Sequence, residues 1–296
     1  ETYMSPVVYD CGGEEGRAVF FESGGETISG HFYKASLASV MDEDLSSATA
    51  LADGQGKGFI APPVLADITE DDTRDVIVNS VGGRVLAFDG ATEKLLWEAG
   101  LGGNFEGYTP PSPGHFTADG GLDVFVSYGH RPGSNMSFTY QTVMDGADGA
   151  VVMEDTVGTF QYASPLTFDF DEDGIDEALV VINTDHGTAG TVLGRRFTNE
   201  MRIYDPRTGS TRRLQGEGER PVGLNLGSTP LLTDLDGDGY LDVVYSYMEE
   251  PNDFFSFRSL TVERTELRTE VNRPVRWGQY MGSYHSGVYM APVRRR

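Results

Sequence analysis

The chain has 296 residues, with 46 acidic against 22 basic side chains, a net charge of −24, 38 glycines and 39 % apolar residues. The apolar fraction supports a real core and excludes wholesale disorder, and the charge argues against a nucleic-acid partner, whose phosphates need clustered Lys and Arg. No apolar run approaches the ~20 residues of a membrane-spanning helix. The single cysteine, Cys11, excludes an internal disulfide and any Cys-cluster metal site, and reads as a small packing residue. Of the 22 basic residues only three are lysine (Lys34, Lys57 and Lys94). An acid-rich, lysine-poor surface fits salty surroundings, although base composition alone can also favour arginine.

One pattern recurs five times along the chain: a proline, a short apolar stretch, a turn that is usually acidic, and a second apolar stretch. The prolines are Pro6, Pro63, Pro111, Pro165 and Pro230, and four residues after each a turn begins, at Asp10, Asp67, His115, Asp169 and Asp234. The units start near residues 5, 62, 110, 164 and 229 and together span 1–270. In the first, Asp10-Cys11-Gly12-Gly13 offers few ligand groups, Ala35 to Leu51 is the best helical candidate, and Gly54 to Gly58 is a flexible loop.

The second unit is the clearest. Val64-Leu65 and Val76-Ile77-Val78 flank its turn, Gly82-Gly83 makes a two-residue hairpin, and Arg84 to Phe88 is a strand. Asp89 to Thr92 turns the chain again into Lys94 to Glu98, where Trp97 is expected in the core. Val124-Phe125-Val126 in the third unit, Leu166 to Phe168 with Leu179 to Val181 in the fourth, and Leu231-Leu232 with Val243 to Tyr245 in the fifth repeat the β-branched and aromatic signature of strands. Later turns at Asp145 to Gly149 and Asp205 to Gly209 match Asp89 to Thr92. Four short antiparallel strands per ~50–60 residues, repeated radially, predict an all-β fold, a β-propeller of four-stranded blades. Five units either close a small ring or form part of a seven- or eight-bladed one, and the second arrangement is the expectation. The tail, residues 271–296, has no acidic turn but carries Trp277, Tyr280, Tyr284 and Tyr289. It reads as a ring-closing strand, a segment docked across the propeller end, or the last blade's outer strands.

Two turns have the spacing of a cation site. Asp169, Asp171, Asp173 and Glu177, and likewise Asp234, Asp236, Asp238 and Asp242, stand at loop positions 1, 3, 5 and 9, with glycine at position 6. Alternate side chains in a tight loop converge, and glycine permits the turn that brings the position-7 carbonyls of Ile175 and Tyr240 inward. Hard oxygens in that number suit Ca²⁺ better than the smaller, more hydrated Mg²⁺. Without a cation, such crowded carboxylates repel one another. The competing reading is a solvated acidic turn, since Asp and Gly are ordinary turn formers. A third, weaker candidate combines Asp67, Thr69, Asp71, Thr73 and Asp75, with Asp72 in place of the glycine. The loop from His115 keeps Thr117, Asp119, Gly120 and Asp123 but lacks the first acid. An EF-hand is excluded because position 12 is Val180 or Tyr245, inside a strand.

The pattern Pro-x-x-x-Asp-x-Asp-x-Asp-Gly-x-x-Asp, complete at Pro230 to Asp242, resembles the FG-GAP and VCBS repeats of integrin-α-like propellers. Arg84 to Trp97 looks like the blade repeat of PQQ-type propellers. The resemblance covers nearly all of residues 1–270. It implies a Ca²⁺-stabilised, secreted or cell-surface propeller (a periplasmic one is also compatible) that adheres to a protein or glycan partner, with no catalytic residue carried over. Five units are fewer than that family usually has. Two alternatives stand beside the binding module: a structural subunit whose open edges complete a larger assembly, and a propeller-type polysaccharide lyase. No His-Glu-x-x-His, Gly-x-Ser-x-Gly or Walker motif is present. Asn135-Met136-Ser137 matches an N-glycosylation acceptor, a frequent chance match.

Overall fold

The computed structural model describes residues 4–12, 16–131, 137–159, 161–188, 195–214, 220–250 and 257–290. Asn135 and Met136 of the acceptor motif, Gly13 of the first turn and the final arginines lie outside them. The described chain forms five antiparallel sheets arranged as propeller blades. Blade 1 holds β1 (Val7–Asp10), β2 (Arg17–Glu22), β3 (His31–Ser36) and β4 (Thr49–Asp53), with a five-residue helix α1 (Leu37–Met41) between the last two. The helix is much shorter than the 35–51 stretch expected from sequence: β3 takes Ala35 and Ser36 and β4 takes Thr49 onward, and no residue of the helix is buried to anchor more of it.

Blade 2 holds β5 (Val64–Ala66), β6 (Asp75–Asn79), β7 (Arg84–Phe88) and β8 (Leu95–Gly100). In blade 3, β10 (Ser112–Gly114), β11 (Asp123–His130), β12 (Phe138–Met144) and β13 (Val151–Val157) make the same sheet, and a short extra strand β9 (Phe105–Gly107) pairs with β11. Blade 4 comprises β14 (Leu166–Phe168), β15 (Glu177–Thr188), β16 (Arg195–Asp205) and β17 (Ser210–Arg213). Blade 5 has three strands, β18 (Leu231–Thr233), β19 (Tyr240–Glu249) and β20 (Ser259–Glu270).

The register repeats from blade to blade. The pairs Val7↔Phe20, Val64↔Ile77, Ser112↔Phe125, Leu166↔Leu179 and Leu231↔Val244 are equivalent. Apolar faces fill the wedges between neighbouring blades. Phe20 and Phe32 meet Val76 and Phe88; Ile77 and Trp97 meet Val124 and Met144; Phe125 and Val143 meet Val180 and Tyr204; Met201 and Ile203 meet Val243 and Tyr245. Trp97 also donates its indole N–H to the Gly146 carbonyl at 2.7 Å, and Gly149, in the left-handed region at φ 75°, leaves room for the ring where a Cβ would stand 2.7 Å from it. Among the described residues no such cluster joins blade 5 to blade 1.

Residues 271–290 do not return along β20 as a fourth strand. Val271 bonds the Gly239 carbonyl, and the chain then crosses the innermost strands. Gly278 accepts from Leu232 at 2.7 Å, Trp277 from Thr167 at 3.1 Å, and Gly287 from Leu65 at 2.8 Å, while Tyr289 donates back to Leu65. Trp277 is fully buried, and Gly287 lies against Val7 of blade 1. One segment thus ties the inner strands of blades 5, 4, 2 and 1 together along the axis.

Candidate metal centre

The turn that follows each inner strand has one architecture in blades 2, 4 and 5. The position-1 carboxylate turns inward and accepts the N–H groups of positions 5 and 6. Asp67 takes Asp71 and Asp72 at 3.1 and 3.0 Å, Asp169 takes Asp173 and Gly174 at 3.0 and 2.9 Å, and Asp234 takes Asp238 and Gly239 at 3.2 and 3.0 Å. Position 6 is left-handed throughout: φ is 93° at Gly174, 92° at Gly239 and 69° at Asp72. Glycine adopts this without strain, whereas Asp72 pays a modest cost. Position 4 is left-handed as well, at Glu70, Glu172 and Gly237, a requirement the spacing argument did not anticipate.

At the other end of the turn, the position-9 carboxylate accepts the N–H of position 2. The pairs are Asp75 with Ile68, Asp123 with Phe116, Glu177 with Phe170, and Asp242 with Leu235. The loops differ in what neutralises this buried charge. In blade 2, Asp75 is surrounded by N–H groups of Ile68, Thr69 and Gly90 and by the Thr69 hydroxyl. That hydroxyl is directed at Asp75, and Thr73 donates its N–H to Asp71. Desolvation still raises the Asp75 carboxyl. Among the described residues, the Asp67, Asp71 and Asp75 side chains do not converge on one point as the other two loops do. In blade 3, burial pushes Asp123 up to about 6, and the His115 ring is held by the Gly121 carbonyl at 2.9 Å.

Blade 4 is the concentrated case. One oxygen each of Asp169, Asp171, Asp173 and Glu177 lies within 4.8 Å of the others, and Glu177 is only 3 % exposed. Burial, reinforced by the neighbouring charges of Asp171 and Asp169, pushes Glu177 up to about 8, with the Phe170 N–H opposing that shift. Arg207 pairs with Asp173, and Arg273 of the tail reaches Asp176 at 2.6 Å and Asp169 at 3.4 Å while stacking over Phe168. No cation of the protein touches Glu177 among the described residues.

In blade 5, Asp234, Asp236 and Asp242 converge, and Asp236 and Asp238 also group with Glu266. Here Arg264 from β20 donates Nε to Asp242 at 2.7 Å and Nη2 to Asp236 at 2.5 Å. Its hydrogen bonds hold the Asp242 carboxyl below its ordinary value, the reverse of the other three position-9 acids. Arg264 therefore already supplies the counter-charge that a metal ion would otherwise bring. Arg264, Arg273 and Arg207 all lie far from these loops in sequence. The signal that could have pointed to them is the excess of arginine over lysine, because the planar guanidinium fork fits carboxylates.

No protein-family model and no curated protein matches this chain. Among solved structures it is similar to BamB from Moraxella catarrhalis, at 19 % identity, covering 58 % of this chain and 44 % of that one, with TM-score 0.33. It is also similar to the C-terminal domain of Pseudomonas aeruginosa PilY1, at 14 % identity over 92 % of this chain and 60 % of that one, TM-score 0.45. Bacillus licheniformis rhamnogalacturonan lyase PL11 matches at 11 % identity over 85 % and 60 %, TM-score 0.41. The chain thus spans about half the length of the first two. At these identities the likeness concerns the propeller fold only, and the FG-GAP and VCBS families remain a resemblance of the turn motif.

Proposed function

We propose that this chain is a calcium-stabilised propeller acting as a non-catalytic binding module for a protein or glycan partner outside the cell or at its surface. The observation that carries the calcium part is the blade 4 loop, where four carboxylates converge and no arginine among the described residues pairs with the buried Glu177. Asp169, Asp171, Asp173 and Glu177 would hold the ion, and bound Ca²⁺ would supply charge neutralisation and a cross-link between β14 and β15, not chemistry. The blade 5 loop takes a second ion only when Arg264 gives way. Thermal unfolding with calcium and with chelator tests this: a higher Tm with calcium is expected, and an unchanged Tm sinks the metal reading.

A second reading, a subunit of a larger assembly, is favoured by β20. Blades 1 to 4 each pair their third strand with a fourth, whereas the outer edge of β20 is unpaired among the described residues. Leu260 and Val262 stand 57 % and 63 % exposed on the face that a further blade would cover. Long unpaired edges invite strand addition. Light scattering distinguishes the readings: a monodisperse monomer at high concentration favours the stand-alone module, and defined oligomers favour the subunit.

A further inference from the structure

Each blade presents an outermost strand at the rim, and in blades 1 to 4 that strand is short: β4, β8, β13 and β17 have 5, 6, 7 and 4 residues. In blade 5 the outermost strand is β20, with 12 residues, and among the described residues no strand pairs with its far edge. Exposed edges are ordinarily blunted by shortness, proline or lysine. β20 is long and contains neither proline nor lysine. Its burial alternates along its whole length, so that Leu260, Val262, Arg264, Glu266, Arg268 and Glu270 lie exposed on one face. The last four alternate in sign, basic then acidic, twice over. Arg264 is held within the chain by Asp242 and Asp236. Arg268 and Glu270 make no ion pair among the described residues. Glu266 brings an oxygen within 4.8 Å of oxygens of Asp236 and Asp238, which crowds negative charge beside the open edge.

We propose that the edge of β20 is completed by β20 of a second copy of this chain, running antiparallel about a two-fold axis at Leu267. In that register Arg264 faces Glu270 of the second copy and Glu266 faces its Arg268, and symmetry repeats both pairs. Residues directly opposite in an antiparallel pair share a face of the sheet with Cβ atoms about 4.5–5.5 Å apart, where opposite charges stabilise and like charges resist pairing. A slip of two residues one way sets Arg264 against Arg268 and Glu266 against Glu266. The other way sets Arg268 against Arg268 and Glu266 against Glu270. Parallel, in-register pairing sets every charge against its own kind. The run therefore satisfies all four of its charges in one direction and one register. Pairing joins two three-stranded blade 5 sheets into one of six strands and satisfies backbone groups along the edge. It also sets a positive charge, Arg268 of the second copy, against the Glu266 of the crowded acidic group. Two molecules of net charge −24 repel at long range, and physiological salt, with a Debye length of about 8 Å, screens that repulsion more than it weakens pairs in contact.

The proposal rests on the subunit reading and names its partner. Sedimentation of the full chain over a wide concentration range, at physiological salt, should show a monomer–dimer equilibrium. Arg268→Glu places Glu against Glu at two points of the dimer and should weaken it at least about tenfold. Glu266→Arg places Arg against Arg and should weaken it as much. An equimolar mixture of the two variants should associate as tightly as the parent chain, because each then meets its opposite. Both side chains are exposed, so the variants keep the fold, which circular dichroism verifies. Hydrogen exchange should show β20 gaining protection on association. A dimer indifferent to both substitutions, a mixture that fails to associate, or a dimer lost with Leu260→Lys but retained with Arg268→Glu overturns the edge pairing and leaves the subunit reading standing. A monodisperse monomer at the highest concentration overturns both.

Discussion

The blade 4 and blade 5 loops share spacing, turn geometry and the inward position-9 acid, yet their electrostatics are opposite. Glu177 is desolvated with no arginine beside it among the described residues and is raised to about 8, whereas Asp242 is gripped by Arg264 and lowered. As sequence, the blade 5 loop is the more complete motif, with Asp-x-Asp-Gly-Asp-Gly and a closing Asp. In the fold, blade 4 is better prepared for a cation, because the charge balance of a loop depends on the strand that packs beside it. β20 brings an arginine against its neighbouring loop; the corresponding strand in blade 4, β16, does not bring one to Glu177.

The largest effect that could break this comparison is loss of the blade 4 site. Asp169→Ala, measured by thermal unfolding in saturating calcium, should lower Tm on the order of 5 °C, the size expected when binding worth about 2.7 kcal/mol is removed. Asp234→Ala should cost less than half of that, and equal losses would erase the ranking. Next comes the arginine. Arg264→Gln should destabilise the calcium-free protein, be rescued by calcium, and raise the calorimetric stoichiometry from one ion to two; an unchanged stoichiometry would mean that Arg264 is not the competitor.

A pH series sharpens the contrast further. A carboxyl raised in the folded state binds its proton more tightly than in the unfolded chain, so its contribution is complete below the ordinary carboxylate value and is lost as pH rises through the folded one. With chelator present, Tm should therefore fall from pH 5 to pH 8, through Asp123 up to about 6 and Glu177 up to about 8. Calcium should flatten or reverse the fall, and Glu177→Gln should remove most of it. The smallest effect concerns the tail. Arg273→Ala should cost about 0.5–1 kcal/mol by denaturant melting, since its ion pairs are partly exposed. A much larger loss would show that the tail, and not the loop, governs blade 4.

Much of the blade was legible in the residues. Arg84–Phe88 is a strand with the bounds that the Gly82-Gly83 and Asp89-Gly90 turns suggest, and Trp97 packs between blades 2 and 3. The helix at 37–41 was overestimated because flanking strands claimed its ends. Arg264 and Arg273 were not legible as loop partners, since β20 and the tail reach the loops through packing that no local spacing encodes. Thr69 illustrates the same limit: its place in the spacing suggests a ligand, but its hydroxyl is directed at Asp75.

The amino-acid sequence by itself determined the repeating strand–turn–strand unit, the inward acids and the tight turn at the position-6 glycine, because these depend on contacts within about nine residues. Only the tertiary structure decided which acidic turn is left electrostatically unbalanced, and that the chain after Glu270 is drawn into the axis instead of completing blade 5. Both outcomes follow from burial. A carboxylate far from water responds to whichever charge the fold sets beside it, and the apolar surface of Trp277 is better covered against the inner strands than along an exposed edge.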